Sequence, residues 1–191
     1  MTGASSGATR IGSTAPQALE FFAGIGLARL GLEEAGFHVS WSNDIDHAKC
    51  QMYRNQFGNN EQEHTLIEGD MGELHGSDLP HNISIAWGSS PCTDISLAGT
   101  RTGLNGKQSS AFWQYIRLLE EMGNNRPPVA VLENVAGLAT SHSGEDIAAA
   151  VSAFNQLGYS VDALSIDARR FVPKSLSLIH ISEPTRLDVI S

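Results

Sequence analysis

The sequence predicts an α/β protein built on a doubly wound, mostly parallel sheet. Short apolar runs alternate with amphipathic stretches along most of the chain. A glycine turn, Gly24-Ile25-Gly26, follows the first apolar run, and an acid, Asp44, closes the second. Strands alternating with helices give βαβ units with right-handed crossovers, and such sheets bind ligands beyond the carboxyl ends of their strands.

Residues 1–16 are mostly Gly, Ser, Thr and Ala with little to bury, and read as a flexible N-terminal lead-in. Ala18 to Phe22 reads as a short buried strand entering the glycine turn. The helix after it is expected to turn Leu27, Leu30 and Leu32 inward and to stop at Gly36. Residues 37–43 form a second strand, ending in Asp44-Ile45-Asp46, and a helix follows from His47 to Phe57. HTLIEGD (64–70) is a third strand, and ISIAWGSSPC (83–92) a fourth that runs into a loop. Phe112, Tyr115, Ile116, Leu119 and Met122 fall on one helical face. PPVAVLENV (127–135) is a fifth strand opened by a proline pair. Ile147, Val151, Phe154 and Leu157 mark a further helix, and YSVDALSI (159–166) a sixth strand.

The chain has 191 residues, which suits one domain with a real core. Hydrophobic residues at 41% and charged residues at 17% exclude disordered and fibrous classes. Twelve Lys and Arg against 21 Asp and Glu give a net charge of −9, so any nucleic-acid contact has to be local. Two cysteines, Cys50 and Cys92, exclude a disulfide scaffold and suit a reducing cytoplasm. No apolar run approaches the ~20 residues of a membrane span, and the N-terminus lacks signal-peptide order. The seven histidines are scattered without ligand spacing, so no metal site is expected.

Several candidate residues stand just after the strands. Gly24 and Gly26 let the backbone approach a ligand closely, but a dinucleotide fingerprint needs a third glycine where Arg29 stands. A nucleoside without a diphosphate remains compatible, as does an ordinary strand-to-helix turn. Asp44 is placed to accept from both ribose hydroxyls or to cap a helix; Asp46 suits the cap better. Asp70 is either an acceptor for an exocyclic amine or a solvated turn residue. Ser90-Pro91-Cys92 holds a thiol at a loop tip, as a nucleophile or as a small buried hydrophobe. Cys50, within a helix, reads as structural. Glu133 ends a buried strand, where a carboxyl tends to stay protonated and can donate to a ring nitrogen, and Asn134 is placed to orient the loop.

FFAGIG, an acid after strand two, Gly-Asp after strand three, Ser-Pro-Cys after strand four and Glu-Asn-Val after strand five, in that order, resemble the DNA (cytosine-5) methyltransferases over about Ala18 to Ser175. The resemblance implies a class I, Rossmann-like fold and S-adenosyl-L-methionine as cofactor. It implies catalytic roles for three residues: Cys92 attacks C6 of a flipped-out cytosine, Glu133 holds and protonates N3, and Asn134 supports them. It places Phe22, Ala23, Gly24, Ile25 and Gly26 against the methionine and adenosine. Asp44 holds the ribose, Ile45 packs on adenine, Asp70 with Met71 reaches the adenine amine, and Pro91 lines the methyl-donor pocket. An acidic pocket of Glu20, Asp44 and Asp70 favours the positive sulfonium. Double-stranded DNA is the implied partner, alongside a cognate restriction endonuclease, and a bacterial or phage source is implied.

The sequence departs from the family pattern in places. Leu27 stands where the family often has glycine, and Ser109-Ser110-Ala111 replaces a commoner Arg-Gly-Thr type of segment, while Gly99, Arg101 and Gly103 fit the loop after the nucleophile. Residues 166–175 look like the start of a later motif, but 176–191 then read LSLIHISEPTRLDVIS, which resembles translated adapter sequence. The expectation is a partial catalytic domain over 17–175, incomplete at its C-terminus, with an aberrant or non-native tail, the alternative being a genuine seventh strand over Ser177 to Ile181. Such a fragment is expected to bind cofactor weakly and show little activity, its recognition region being absent. Three other readings stay open: a tRNA cytosine-5 methyltransferase, a non-catalytic nucleoside-binding module and, against Arg29, a nicotinamide oxidoreductase.

Overall fold

The computed structural model describes residues 15–58, 60–91, 111–167 and 186–190. Seven strands form one sheet in the order β3-β2-β1-β4-β5-β7-β6. They are β1 (Gln17–Phe21), β2 (His38–Asp44), β3 (Thr65–Glu68), β4 (Ile83–Ser89), β5 (Val129–Asn134), β6 (Ala163–Asp167) and β7 (Arg186–Ile190). β1 to β5 pair in parallel, and β7 runs antiparallel to both β5 and β6. The helices are α1 (Leu27–Glu34), α2 (His47–Phe57), α3 (Ala111–Glu121), α4 (Gly137–Thr140) and α5 (Glu145–Gln156). The doubly wound, mostly parallel architecture expected from the sequence is the one observed. β7 lies within the segment expected as an aberrant tail, whereas the lead-in up to residue 14 lies outside the described residues.

Alternation along β1 sorts the two faces, since successive strand side chains point to opposite sides. Leu19 and Phe21 enter the larger core with Phe112, Tyr115, Leu119 and Phe154 from α3 and α5. Phe21 packs its ring 5.0 Å from both Trp41 and Tyr115. The buried Tyr115 hydroxyl donates to the carbonyls of Ala86 and Val131, so its polar end is satisfied between two strands. Ala18 faces the other way, with Val39, Ile85, Val131 and Leu32 of α1.

The inward face of α1 differs from the expected one. Leu27 is 69% and Leu30 46% exposed, whereas Leu32 and Arg29 are buried. Arg29 can turn inward because its charge and stem both find partners. Its Nε donates to Glu33 at 2.7 Å, and its guanidinium stacks 4.3 Å from the Phe57 ring. β6 also starts later than expected: Tyr159 and Val161 pack on the core instead, and the Tyr159 hydroxyl donates to the Pro127 carbonyl.

Gly26 begins α1 at φ 87, in the left-handed region, and a Cβ there would sit 2.2 Å from the Phe57 ring. Gly26→Ala is therefore expected to cost about 2–4 kcal/mol, combining left-handed strain with overpacking. The denaturant midpoint should fall with an unchanged slope. A loss below about 1 kcal/mol would contradict this close packing.

Candidate active site

The carboxyl ends of β1 to β4 and the start of α3 surround one cavity of about 510 Å³. Its lining includes Phe22, Gly24, Asp44, Ile45, Asp70, Met71 and Pro91. Those seven candidates, scattered over 70 positions of sequence, converge because parallel strands end at the same edge of the sheet. Ala23, Ile25 and Gly26 do not line it. Ala23 is buried, Ile25 points partly to solvent, and Gly26 packs against α2.

Backbone strain and hydrogen bonds shape the first turn. Phe22 has φ 56 and Gly24 φ 57, so the chain reverses sharply after β1. Asp44 holds that reversal in place. Its Oδ2 accepts from the Gly24 amide at 2.7 Å, and its Oδ1 from the Asp46 amide at 2.8 Å. A carboxylate has further lone pairs, so Asp44 can also accept from a ligand. Asp46 accepts from the Lys49 amide and caps α2, as the sequence suggests. Asp70 caps the 3-10 turn Met71–Glu73 through the Gly72 amide at 2.7 Å, and it borders the cavity as well.

Glu20 is placed elsewhere than expected. It is fully buried, away from the cavity lining, within a polar cluster on the α1–α2 face. Its carboxylate accepts from the Arg29 amide, the Ser42 hydroxyl and the Tyr53 hydroxyl, each at 2.9 Å. Burial raises its pKa, and the three donors act against that rise. Alternation explains the placement, because Glu20 shares its face of β1 with Ala18. The acidic character of the cavity comes instead from Asp44, Asp46 and Asp70, with Lys49 beside them.

His64 belongs to the same cluster, its Nε2 lying 3.0 Å from the Ser42 hydroxyl and its ring stacking on Tyr53. Burial lowers its pKa to about 4, against about 6.5 for an unperturbed histidine. The unfolded chain then binds more protons than the folded one between those values. The contribution of His64 to stability is full above about pH 6.5 and declines as the pH drops toward 4. The raised Glu20 carboxyl works in the opposite sense, so the comparison has to isolate His64. The unfolding free energy of the chain minus that of His64→Gln should fall between pH 7.5 and pH 4.5. A difference independent of pH would contradict the assignment.

At the β4–β5 edge, Ser89 and Glu133 are register partners in the parallel ladder. Glu133 is half-buried there. Asn134 donates through Nδ2 to the Ser90 hydroxyl at 3.0 Å and to the Ser90 carbonyl at 3.3 Å, while its Oδ1 accepts from the Val135 amide. Asn134 therefore ties the segment leading to Pro91 and Cys92 onto the end of β5. Cys92 itself lies outside the described residues, as do Gly99, Arg101, Gly103, Ser109 and Ser110. Cys50 is fully buried, donates to the Asp44 carbonyl, and has its thiol pKa pushed up by burial and by Asp44, which fits a structural role.

Gly69 of the Gly-Asp pair and Ala111 also line the cavity, as do Asn43, Lys49, Ser89 and Gln114, which belong to no motif the sequence offers. Asn43 and Ser89 adjoin motif residues at the same strand ends. Gln114 carries no local signal, because its role depends on where α3 docks. Among the described residues, no three His, Cys, Asp or Glu side chains gather as a metal site, and no helix is long and apolar enough to cross a membrane.

The family described as C-5 cytosine-specific DNA methylase matches residues 17–173. The chain belongs to that family. Among curated relatives, it is 31% identical to the type II methyltransferase M.NgoFVII of Neisseria gonorrhoeae, over 79% of this chain and 38% of that one. It is 27% identical to M.HhaI of Haemophilus parahaemolyticus, over 85% of this chain and 47% of that one. A solved Dnmt2 methyltransferase of S. pombe superimposes with a TM-score of 0.64 at 20% identity, covering 92% of this chain and 48% of its own, and supports the shared fold. The chain spans less than half the length of these relatives. This member of the family thus folds on a Rossmann-like, mostly parallel sheet.

Proposed function

We propose that the chain is the cofactor-binding and nucleophile-bearing part of a DNA cytosine-5 methyltransferase that uses S-adenosyl-L-methionine. The observation that carries this reading is the single cavity joining Phe22, Gly24, Asp44, Ile45, Asp70 and Met71 to Pro91, the residue before Cys92. The cavity suits the cofactor: at about 510 Å³ it is the size of a small-molecule site, with carboxylates for hydroxyls and amines and apolar walls for a purine. Asp44 would hold the ribose, Ile45 the adenine face and Asp70 the adenine amine. S-adenosyl-L-methionine, when bound, supplies the electrophilic methyl group that C5 takes up.

The remaining chemistry belongs to the chain. Cytosine is a poor nucleophile at C5 until a group adds at C6. The Cys92 thiolate forms the S–C6 bond, and Glu133 gives its proton to N3 as electron density moves into the ring. A base then takes the C5 proton, the S–C6 bond breaks, and the N3 proton returns to Glu133. Asn134 holds the strand end carrying Ser90 against the end of β5, the strand that carries Glu133. The family's description as a DNA methylase favours DNA over tRNA as substrate. A cognate endonuclease and a cytoplasmic location fit the same reading.

The chain by itself, spanning less than half of its relatives, is proposed to be a partial domain that binds cofactor weakly and without appreciable turnover. In a calorimetric titration it should bind S-adenosylhomocysteine, and Asp44→Ala should weaken binding at least tenfold through loss of the ribose acceptor and of the Gly24 anchor. Unchanged affinity in that variant would contradict the assigned pocket. Incubation with labelled S-adenosyl-L-methionine and mixed-sequence DNA should give little incorporation; robust incorporation would overturn the partial-domain reading.

A further inference from the structure

We propose that Arg117, which does not line the cavity, is a positioning residue that sets ligand discrimination at its Asp70–Met71 end. Arg117 stands on α3, in one row with Gln114 and Glu121 at helical spacing. Its guanidinium binds three ways. Nη2 donates to the carbonyls of Met71 and Leu74, both at 3.0 Å. Nε donates to the Gln114 Oε1 at 2.7 Å, and Nη1 to the Glu121 Oε1 at 2.6 Å. The other oxygen of Glu121 accepts from the Gly76 amide at 2.8 Å.

These bonds fasten the connection between β3 and β4 to α3 along its length. Gly76 shows how close that docking is, because a Cβ there would lie 2.5 Å from the Cβ of Glu121 and 2.7 Å from its backbone. Two walls of the cavity depend on the clamp. Met71 and Gln114 come from different elements and both line it, and Arg117 bonds to each from behind. Asp70 depends on it indirectly. Its Oδ1 is oriented by the Gly72 amide, and Gly72 lies in the turn whose carbonyls at 71 and 74 Arg117 holds. A planar guanidinium can serve carbonyl, amide and carboxylate partners at once, whereas a lysine ammonium lacks the fixed fork.

The proposal rests on the reading of the cavity as the S-adenosyl site, with Asp70 facing the exocyclic amine of the purine. Two ligands test it: S-adenosylhomocysteine and its inosine counterpart, which lacks that amine. The chain should prefer the adenosine ligand at least tenfold. Arg117→Met should reduce the preference to threefold or less, by weakening the adenosine ligand more than the inosine one. Arg117→Lys should restore only part of it. Hydrogen exchange gives a reading without ligand: the amides of Gly72 and Gly76 should exchange at least tenfold faster in Arg117→Met, with β1 and β4 unaffected. An unchanged preference, or equal weakening of both ligands with exchange raised throughout the sheet, overturns the positioning role. Failure of the unaltered chain to bind either ligand overturns the cofactor reading itself and this proposal with it.

Discussion

Glu20→Ala is expected to destabilise the fold by about 3–5 kcal/mol, the range for removing one partner from a buried charged cluster. The carboxylate is fully buried and accepts three hydrogen bonds. Its loss removes the shared acceptor of the Arg29 amide and of the Ser42 and Tyr53 hydroxyls, leaves those hydroxyls only each other and His64 as partners, and opens a void between β1 and α2. A domain of this size has only about 5–15 kcal/mol in total, so the variant should be largely unfolded in mild denaturant. Glu20→Gln should lose less, because the hydroxyls of Ser42 and Tyr53 can rotate to accept from the new amide. Chemical denaturation of both variants checks this, and a loss under about 1 kcal/mol for Glu20→Ala would show that the cluster is not structural.

The second large effect concerns Glu133. Glutamine keeps the size and hydrogen-bonding capacity of the side chain but has no proton to give N3. In the chain extended by the C-terminal half of a matched relative, Glu133→Gln should lower kcat by about 10²–10⁴-fold, the usual contribution of a positioned general acid. The KM for DNA should change far less, because the lost interaction is made as charge develops in the ring. Loss confined to KM would assign Glu133 to binding alone.

The sheet was legible because its strands are short apolar runs punctuated by Gly, Pro and Asp, and the parallel order follows from their alternation with helices. The strand-end candidates were legible for the same reason. In a parallel sheet, Phe22, Asp44, Asp70 and Pro91 need only end their strands to meet. Three features were not legible. Leu27 and Leu30 have the spacing of an inward face, yet Arg29 occupies it, because a stacked aromatic and an i,i+4 carboxylate can bury a guanidinium. Glu20 reads as one more acid beside a ligand turn, and only strand alternation, with Tyr53 arriving from α2, sends it to the other face. Gln114 and Arg117 carry no motif at all, since their meaning arises from tertiary docking of α3 on the 71–76 segment.

The central claim is that the sulfur at position 92 adds to an extruded cytosine beside Glu133. A duplex carrying 5-fluorocytosine tests it, because fluorine at C5 blocks the elimination that would release the enzyme. With S-adenosyl-L-methionine present, the extended chain should form a denaturation-stable adduct, peptide mapping should place it on Cys92, and Cys92→Ser should form none. An adduct that persists in Cys92→Ser, or a competent cofactor-loaded chain that forms no adduct, would contradict the account.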